Sequence, residues 1–226
     1  MITHSMPQTL KSFAKEVPLQ PKGTFIVIEG IDGSGKGEQM CRLAAWLYKR
    51  NKNYHIVMTR EPSLSTHSAL VRKLLASSRE MSAYARDFLH LFVADRADHI
   101  KRLIQPSLRY GCIVLCDRYK YSTIAYQQTQ GVPFDEIVKA HEGFAIPDLT
   151  IILDADPRTA LQRNLDDKSR AYQEVFEREV EFTEKLRQNY LALPGKIADE
   201  RIVIVDANRM PEMVFESVAK EVEKIL

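Results

Sequence analysis

The chain has 226 residues, of which 45% are hydrophobic and 27% are charged, and its formal net charge is +2. This length fits one α/β domain with a well-buried core. The small net charge gives no bulk electrostatic reason to expect binding to nucleic acid or to a membrane surface. No apolar stretch approaches the roughly 20 residues of a membrane-spanning helix. The three cysteines show no metal-ligand spacing and indicate reduced thiols and a cytoplasmic setting.

The first 23 residues differ from the rest of the chain. They contain Pro7, Pro18 and Pro21 and lack a strong hydrophobic periodicity. They also lack the apolar core of a signal peptide. We therefore expect an N-terminal extension over residues 1–23, followed by a single domain over residues 24–226.

A glycine-rich loop follows the first apolar run of that domain. Residues 25–28 read Phe-Ile-Val-Ile, and Gly30–Lys36 read Gly-Ile-Asp-Gly-Ser-Gly-Lys. Glycines let consecutive backbone N–H groups turn inward around a phosphate, and Lys36 adds a positive charge at the β- and γ-phosphates. A helix is predicted over Gln39–Lys49, with its positive dipole end at the same anion. The pattern predicts a phosphate-binding loop for ATP, whereas the alternative is a glycine-rich turn that binds nothing.

The loop departs from the usual pattern at one position. A serine or threonine normally follows the lysine and gives its hydroxyl to Mg²⁺, but here Gly37 and Glu38 follow. We expect this change to affect metal placement and rate more than phosphate binding. The residues predicted to bind ATP are Gly30, Ile31, Asp32, Gly33, Ser34, Gly35, Lys36, Gly37 and Glu38.

Strand and helix patterns alternate through the remaining sequence. Short apolar runs are typical of parallel strands that are covered on both faces. The pattern predicts a doubly wound, five-stranded parallel sheet with helices on both faces, and ligands at the carboxyl ends of its strands. Strands are predicted at Thr24–Glu29, His55–Thr59, Cys112–Asp117, Leu149–Asp154 and Arg201–Val205, with a long helix from about Ser82 to Tyr110 and a last helix over Pro211–Leu226.

Charged residues stand at two of these strand ends. Asp117 ends the third strand, where a carboxylate can hold Mg²⁺ directly or through water, and Arg118 beside it can clamp a phosphate. The alternative is a surface salt bridge. Arg60 follows the second strand and is predicted to bind the phosphate of a second substrate, although Glu61 is an available ion-pair partner.

Two further regions allow more than one interpretation. Phe92 and Arg96 share one face of the long helix. Phe92 is either a core residue or a stacking surface for a base, and Arg96 is either a solvated end or a donor to the carbonyl edge of that base. Spacing alone favours the first interpretation. The charged stretch from residue 162 to 178 contains Arg163, Lys168 and Arg170. It is either a solvated face or a basic lid over the transferred phosphoryl group.

Several motifs together resemble those of thymidylate kinases, the nucleoside monophosphate kinases that phosphorylate dTMP. The resemblance covers about residues 24–226, with the motifs in family order. The matching segments are Phe25–Lys36, Thr59–Pro62 (Thr-Arg-Glu-Pro), Leu91–Arg96, Asp117–Tyr119 leading to Ser122–Gln127, and Pro147–Leu149 leading to Leu153–Asp154.

The resemblance implies a role for each matching residue. Lys36 and the loop amides would hold ATP, and Arg60 and Arg118 would bind the acceptor phosphate. Asp32 would hold the acceptor 3′-hydroxyl or the metal shell. The substrate-binding residues implied are Asp32, Arg60, Phe92, Arg96, Arg118, Ser122 and Tyr126, with Phe92 stacking on thymine, Arg96 reading its carbonyl and Tyr126 crowding the 2′ position.

The resemblance also bears on catalysis and assembly. One branch of the family uses a loop arginine, but that position is Gly33 here, so a lid arginine is implied, either Arg170 or Arg163, in a short lid over about residues 163–173. Asp117 and Asp32 would hold Mg²⁺. Glu38 departs from the family pattern, and its carboxylate would either repel the phosphates or help to hold Mg²⁺. A homodimer packed through helices is also implied. The alternatives are a kinase for another deoxynucleotide or a nucleoside, and a nucleotide-binding regulator that has lost catalysis, which Gly37 and Glu38 suggest.

Overall fold

The computed structural model of this protein describes residues 22–77, 81–166 and 180–226. It contains a five-stranded sheet with the order β2-β3-β1-β4-β5, in which all paired strands are parallel. The predicted doubly wound parallel sheet is confirmed. The strands are β1 (Thr24–Glu29), β2 (Ile56–Arg60), β3 (Ile113–Asp117), β4 (Leu149–Asp154) and β5 (Ile202–Asp206).

Ten α-helices connect and cover these strands within the described residues. They are α1 (Lys36–Arg50), α2 (Thr66–Ser77), α3 (Ala85–His99), α4 (Gln105–Arg109), α5 (Lys120–Thr129), α6 (Phe134–Lys139), α7 (Pro157–Asp166), α8 (Val180–Leu191), α9 (Leu193–Lys196) and α10 (Pro211–Glu223). None of the described helices is both long and apolar enough to cross a membrane. The predicted extension lies outside the described residues except for Lys22 and Gly23.

The central strand explains where the core and the site lie. Five of the six residues of β1 are buried, because helices cover both faces of the sheet. Helices α1 and α10 pack against each other through Trp46 and Phe215, whose ring centroids are 6.4 Å apart. Helix α5 packs on α3 and α8 in a second group. The chain crosses from β1 to neighbours on both sides, so the carboxyl end of β1 is the switch point where ligands bind in such sheets.

The structure corrects the predicted long helix. A 3₁₀ turn over Met81–Tyr84 precedes α3, and a π-helical segment, Ile100–Ile104, separates α3 from α4. The N–H of Gln105 donates to the carbonyl of Ile100, five residues back. The physical reason follows in the sequence, because Pro106 has no N–H and cannot continue the regular helical ladder. The second and last predicted strands are also displaced by one residue.

Candidate active site

The glycine-rich loop joins β1 to α1 at the switch point of the sheet. Lys36 is the first residue of α1 and is only 5% exposed. Its Nζ donates to the carbonyls of Gly30 at 3.0 Å and Ile31 at 2.9 Å. The same Nζ lies 3.7 Å from Oδ1 of Asp32. The lysine is therefore held against the loop, with its charge at the helix N-terminus, where backbone N–H groups also favour an anion.

Helix α7 supports this loop from outside. The Nη1 atom of Arg163 donates to the carbonyl of Gly33 at 3.4 Å and to the carbonyl of Ala207 at 3.2 Å. Arg163, one of the two predicted lid arginines, thus bridges the loop and the segment after β5. Arg170 and Lys168 lie outside the described residues, as does most of the predicted lid.

Arg118 brings the acceptor side of the site to the loop. Its Nη2 donates to Oδ1 of Asp32 at 2.5 Å and to the Tyr126 hydroxyl at 3.4 Å. Its Nη1 donates to Oγ of Ser122 at 3.2 Å. Its φ of 70° is in the left-handed region, which costs a non-glycine residue about 1–2 kcal/mol. This conformation turns the guanidinium toward the loop directly after β3, so the strain coincides with the predicted site.

Arg60 lies at the next strand end. It pairs in register with Asp117, so Arg60, Asp117 and Arg118 share one edge of the sheet. The Arg60 side chain is exposed, and it has no ion-pair partner among the described residues. Glu61 is not the ion-pair partner of Arg60, because its carboxylate binds Arg96 and His99 instead.

The predicted base-binding residues lie in different surroundings. Phe92 is half-buried and stacks on Phe88 with ring centroids 6.2 Å apart. Arg96 is 1% exposed, and its Nε donates to Oε2 of Glu61 at 2.7 Å. Its Nη1 lies 2.6 Å from Nε2 of His141. Burial, together with the positive charge of Arg96, lowers the pKa of His141 to about 3, so the ring is neutral and accepts this bond.

The predicted metal ligands are not alike. Oδ1 of Asp117 is buried and has no hydrogen-bond partner among the described residues. An orphaned carboxylate oxygen beside a phosphate loop fits a metal ion or its water shell. Glu38 is exposed on α1, where Arg42 donates to its Oε1 at 2.9 and 2.8 Å. No cluster of three potential side-chain ligands occurs in the described parts of the chain, so a bound Mg²⁺ would rely on phosphate and water oxygens.

Sequence reasoning missed two residues that contact the predicted site. Glu29 ends β1 with no exposed surface, and Tyr190 of α8 is 1% exposed. The Tyr190 hydroxyl lies 3.4 Å from Nη1 of Arg118 and 3.2 Å from Oε2 of Glu29. A signal existed for Glu29, since a carboxylate at the end of a fully apolar strand requires buried partners. No comparable signal marks Tyr190.

A parallel sheet with this strand order and a glycine-rich loop after β1 defines a P-loop nucleotide-binding protein. The family profile described as "Thymidylate kinase" matches residues 28–218. The chain therefore belongs to the thymidylate kinase family, as its motifs predicted, and is a transferase of that family.

Individual relatives agree with this assignment. The chain is 38% identical over 186 residues to a probable thymidylate kinase of Pyrococcus horikoshii, covering 80% of this chain and 88% of that one. It is also 38% identical over 206 residues to a probable thymidylate kinase of Staphylothermus marinus, covering 90% of this chain and 94% of the relative. The crystal structure of thymidylate kinase from Ehrlichia chaffeensis superposes with a TM-score of 0.70 at 29% identity, covering 89% of this chain and 100% of that chain.

Proposed function

We propose that this protein transfers the γ-phosphate of ATP to dTMP, giving dTDP for dTTP synthesis. One observation carries this proposal beyond family membership. Asp32 of the loop lies between two cations, 2.5 Å from Nη2 of Arg118 and 3.7 Å from Nζ of Lys36. Lys36 is the proposed cation for the ATP phosphates, and Arg118 is the proposed cation for the acceptor phosphate. The Asp32 carboxylate lies between them, at the place where the two phosphates would meet.

The reaction is an in-line displacement at the γ-phosphorus. A phosphate oxygen of dTMP forms a bond to that phosphorus while its bond to the leaving oxygen of ADP breaks. Lys36 and the loop N–H groups hold the ATP phosphates, and Arg60 and Arg118 hold the acceptor phosphate. The protein contributes position and positive charge, which are the main sources of catalysis in phosphoryl transfer.

The remaining acceptor-side residues would bind the base and the sugar of dTMP. In this proposal Phe92 stacks on thymine. Arg96 donates to a thymine carbonyl, and this contact requires the surroundings of Arg96 to open when dTMP binds, because its side chain is buried and already donates to Glu61, Thr123 and His141. Tyr126 crowds the 2′ position, and its ring already lies under Arg118, with 5.4 Å from the guanidinium carbon to the ring centroid. Ser122 contributes to the acceptor side through its bond with Nη1 of Arg118. Asp32 would hold the 3′-hydroxyl of the acceptor once the acceptor phosphate has taken the place of Asp32 on Arg118.

Mg²⁺ belongs to the proposal as a partner of ATP. Asp117 is the best-supported ligand, because its buried Oδ1 has no hydrogen-bond partner among the described residues. Asp32 and Glu38 are the other proposed ligands. Since the described residues hold no cluster of three such groups, these carboxylates would act mainly through the water shell of the ion, and Glu38 would first have to leave Arg42. The ion would neutralise phosphate charge, and it usually retains several water ligands, so a missing hydroxyl at Gly37 is compatible with binding.

The remaining assignments concern the whole chain. We assign residues 24–226 to the kinase domain, residues 1–23 to an extension, and about residues 163–173 to a lid that supplies Arg163 or Arg170. The three cysteines are free thiols, which supports a reducing, cytoplasmic setting. A homodimer is proposed by similarity to the family, and light scattering on the purified chain measures its mass directly.

A coupled assay of ADP release tests the function. The panel contains dTMP, dUMP, dCMP, dGMP, dAMP and thymidine, each with ATP and Mg²⁺. We expect the highest kcat/KM with dTMP. Preference for another acceptor would reassign the substrate, and tight ATP binding without turnover would indicate a regulator.

Lys36→Ala is the matching loop variant. We expect kcat to fall by about 100-fold or more, because the ammonium is removed from the transferring phosphate. Lys49→Ala, which removes an exposed lysine from the same helix, is the control and should behave like wild type. Wild-type kcat/KM in Lys36→Ala would refute the role of the loop.

A further inference from the structure

Glu29 is a buried carboxylate in the centre of the sheet, and no role in the reaction has been given to it above. It has no exposed surface. Oε1 accepts from the N–H of Tyr119 at 2.8 Å and from the N–H of Ser122 at 3.1 Å. Oε2 accepts from Oγ of Ser122 at 2.6 Å and from the hydroxyl of Tyr190 at 3.2 Å. Both oxygens therefore act as acceptors from donors on other elements.

The first pair of bonds caps a helix from a distant strand. Helix α5 begins at Lys120, and its N-cap residue, Tyr119, makes no side-chain capping bond. Helix N-termini leave several N–H groups without intrahelical partners, and an acidic group there is favoured by the helix dipole. Glu29 accepts from two N–H groups at this helix start although it lies 90 residues from Tyr119. The N–H of Ser122 is shared between Glu29 and the carbonyl of Tyr119, each at 3.1 Å. The segment that carries Arg118 is thereby attached to the loop-bearing strand β1.

The second pair of bonds, from the hydroxyls of Ser122 and Tyr190 to Oε2 of Glu29, connects Glu29 with Arg118, the proposed clamp on the acceptor phosphate. Nη1 of Arg118 lies 3.2 Å from Oγ of Ser122 and 3.4 Å from the hydroxyl of Tyr190. An arginine only donates and an ionised carboxylate only accepts, so the two hydroxyls accept from Arg118. The Ser122 proton goes to Glu29, and the Tyr190 proton goes either to Glu29 or to Ser122, which is 2.9 Å away. Along the path from Arg118 through the two hydroxyls to Glu29, each hydrogen bond therefore runs from donor to acceptor in the direction of Glu29.

The hydrogen-bond geometry fits an ionised carboxylate, because all four groups that contact the two Glu29 oxygens are donors. Burial raises the pKa of Glu29, while the Ser122 hydroxyl and then the charge of Arg118 oppose that rise. In its ionised form Glu29 is a buried counter-charge that faces Arg118 through two hydroxyls. A glutamine at this position would turn its N–H₂ group either toward the two backbone N–H groups or toward the two hydroxyls. In the first orientation donors would face donors. In the second, the hydroxyls would have to accept from the amide and would no longer be held as acceptors for Arg118 alone.

We infer that Glu29 is a positioning residue for acceptor binding, which acts by fixing the direction of the Arg118 guanidinium through Ser122 and Tyr190. This inference rests on the proposed role of Arg118 in holding the acceptor phosphate. It predicts that the loss of the carboxylate weakens acceptor use and leaves ATP use nearly intact. It further predicts that removing the Glu29 carboxylate no longer changes the KM for dTMP once the Arg118 side chain is absent.

The experiment is a double-mutant cycle with Glu29→Gln and Arg118→Ala. We expect Glu29→Gln to raise the KM for dTMP about tenfold, the size of one lost charge-assisted hydrogen bond, with less than a twofold change in the KM for ATP. In the Arg118→Ala background the same change should alter the KM for dTMP less than twofold. Equal effects of Glu29→Gln in both backgrounds would overturn the inference.

Two further variants separate positioning from folding. Glu200→Gln removes another buried carboxylate attached to α5, where it pairs with Lys120 and Tyr121, and it should leave the KM for dTMP unchanged. An equal rise in Glu200→Gln would show a general loosening of α5 and reject the inference. Tyr190→Phe deletes one link at nearly constant volume, so it keeps the test available if Glu29→Gln is unstable. It should raise the KM for dTMP about threefold and show the same dependence on Arg118.

The outcomes also distinguish this inference from the proposed function. Lack of dTMP turnover by the wild type rejects the function, and the cycle is then run with the acceptor that the panel identifies, because Arg118 is assigned to the phosphate and not to the base. Wild-type dTMP turnover together with an unchanged KM in Glu29→Gln and Tyr190→Phe rejects the inference alone.

Discussion

Gly33 offers a sharp test of the loop geometry. Its φ is +81°, and a β-carbon placed there would lie 2.1 Å from the carbonyl oxygen of Ala160 and 2.7 Å from the carbonyl carbon of the same residue. Both contacts are with the backbone of α7, so no flexible side chain can move aside. Gly33→Ala must displace either the loop or α7.

The expected loss of stability in Gly33→Ala is the sum of two free-energy costs. A non-glycine residue in the left-handed region costs about 1–2 kcal/mol, and overpacking of this kind costs about 1–3 kcal/mol. We expect Gly33→Ala to lower the free energy of unfolding by about 2–5 kcal/mol. Gly35 has a φ of +92° and open space around its β-carbon position, so Gly35→Ala should cost only the first term. Gly37 has open space and no positive φ, and Gly37→Ala should be neutral or stabilising by up to ~1 kcal/mol.

Urea unfolding of the three alanine variants without nucleotide measures these differences, and the KM for ATP shows whether the loop has moved. The expected order of stability is Gly37→Ala, then Gly35→Ala, then Gly33→Ala. A Gly33→Ala variant as stable as Gly35→Ala would refute the close contact with Ala160. The same contact leaves no room for a larger side chain, such as that of arginine, at residue 33.

Three further predictions concern the acceptor clamp, the metal and pH. Arg60→Ala and Arg118→Ala should each raise the KM for dTMP by a factor that corresponds to about 2–3 kcal/mol, with a smaller effect on the KM for ATP; normal dTMP kinetics in both variants would place the acceptor elsewhere. Titrations of activity with Mg²⁺ test the loop departure: if Glu38 takes part in the metal shell, Glu38→Ala raises the Mg²⁺ requirement and Gly37→Thr changes little, whereas unchanged Mg²⁺ dependence in Glu38→Ala would make Glu38 a solvated partner of the helix. His141 is kept neutral when folded, with its pKa lowered from 6.5 to about 3, so the unfolded chain binds the extra proton and stability falls as pH drops through this interval. The slope is about 1.4 kcal/mol per pH unit, and urea unfolding of His141→Asn should show a shallower slope than wild type.

The parallel sheet, and the strand ends that carry the candidate site, could be predicted from the sequence. Parallel strands buried on both faces require short apolar runs, and β1 and β4 have the bounds that those runs predicted. The sequence places Arg60 and Asp117 at the ends of two strands, and the register of those strands sets the two residues opposite each other at one edge of the sheet. The bounds of the long helix were harder to predict, since Pro106 changes the hydrogen-bond pattern without ending the helical segment.

The sequence by itself determined the fold class, the family and the phosphate loop, because these depend on apolar periodicity and on motifs of contiguous residues. Only the tertiary structure decided which partner each charged group takes. Glu61 bonds Arg96, 35 residues away, and not the adjacent Arg60, and Glu29 bonds Tyr119 across 90 residues. Buried charges take the partners that the folded backbone places within hydrogen-bond distance, and distances of that kind leave no local pattern in the sequence.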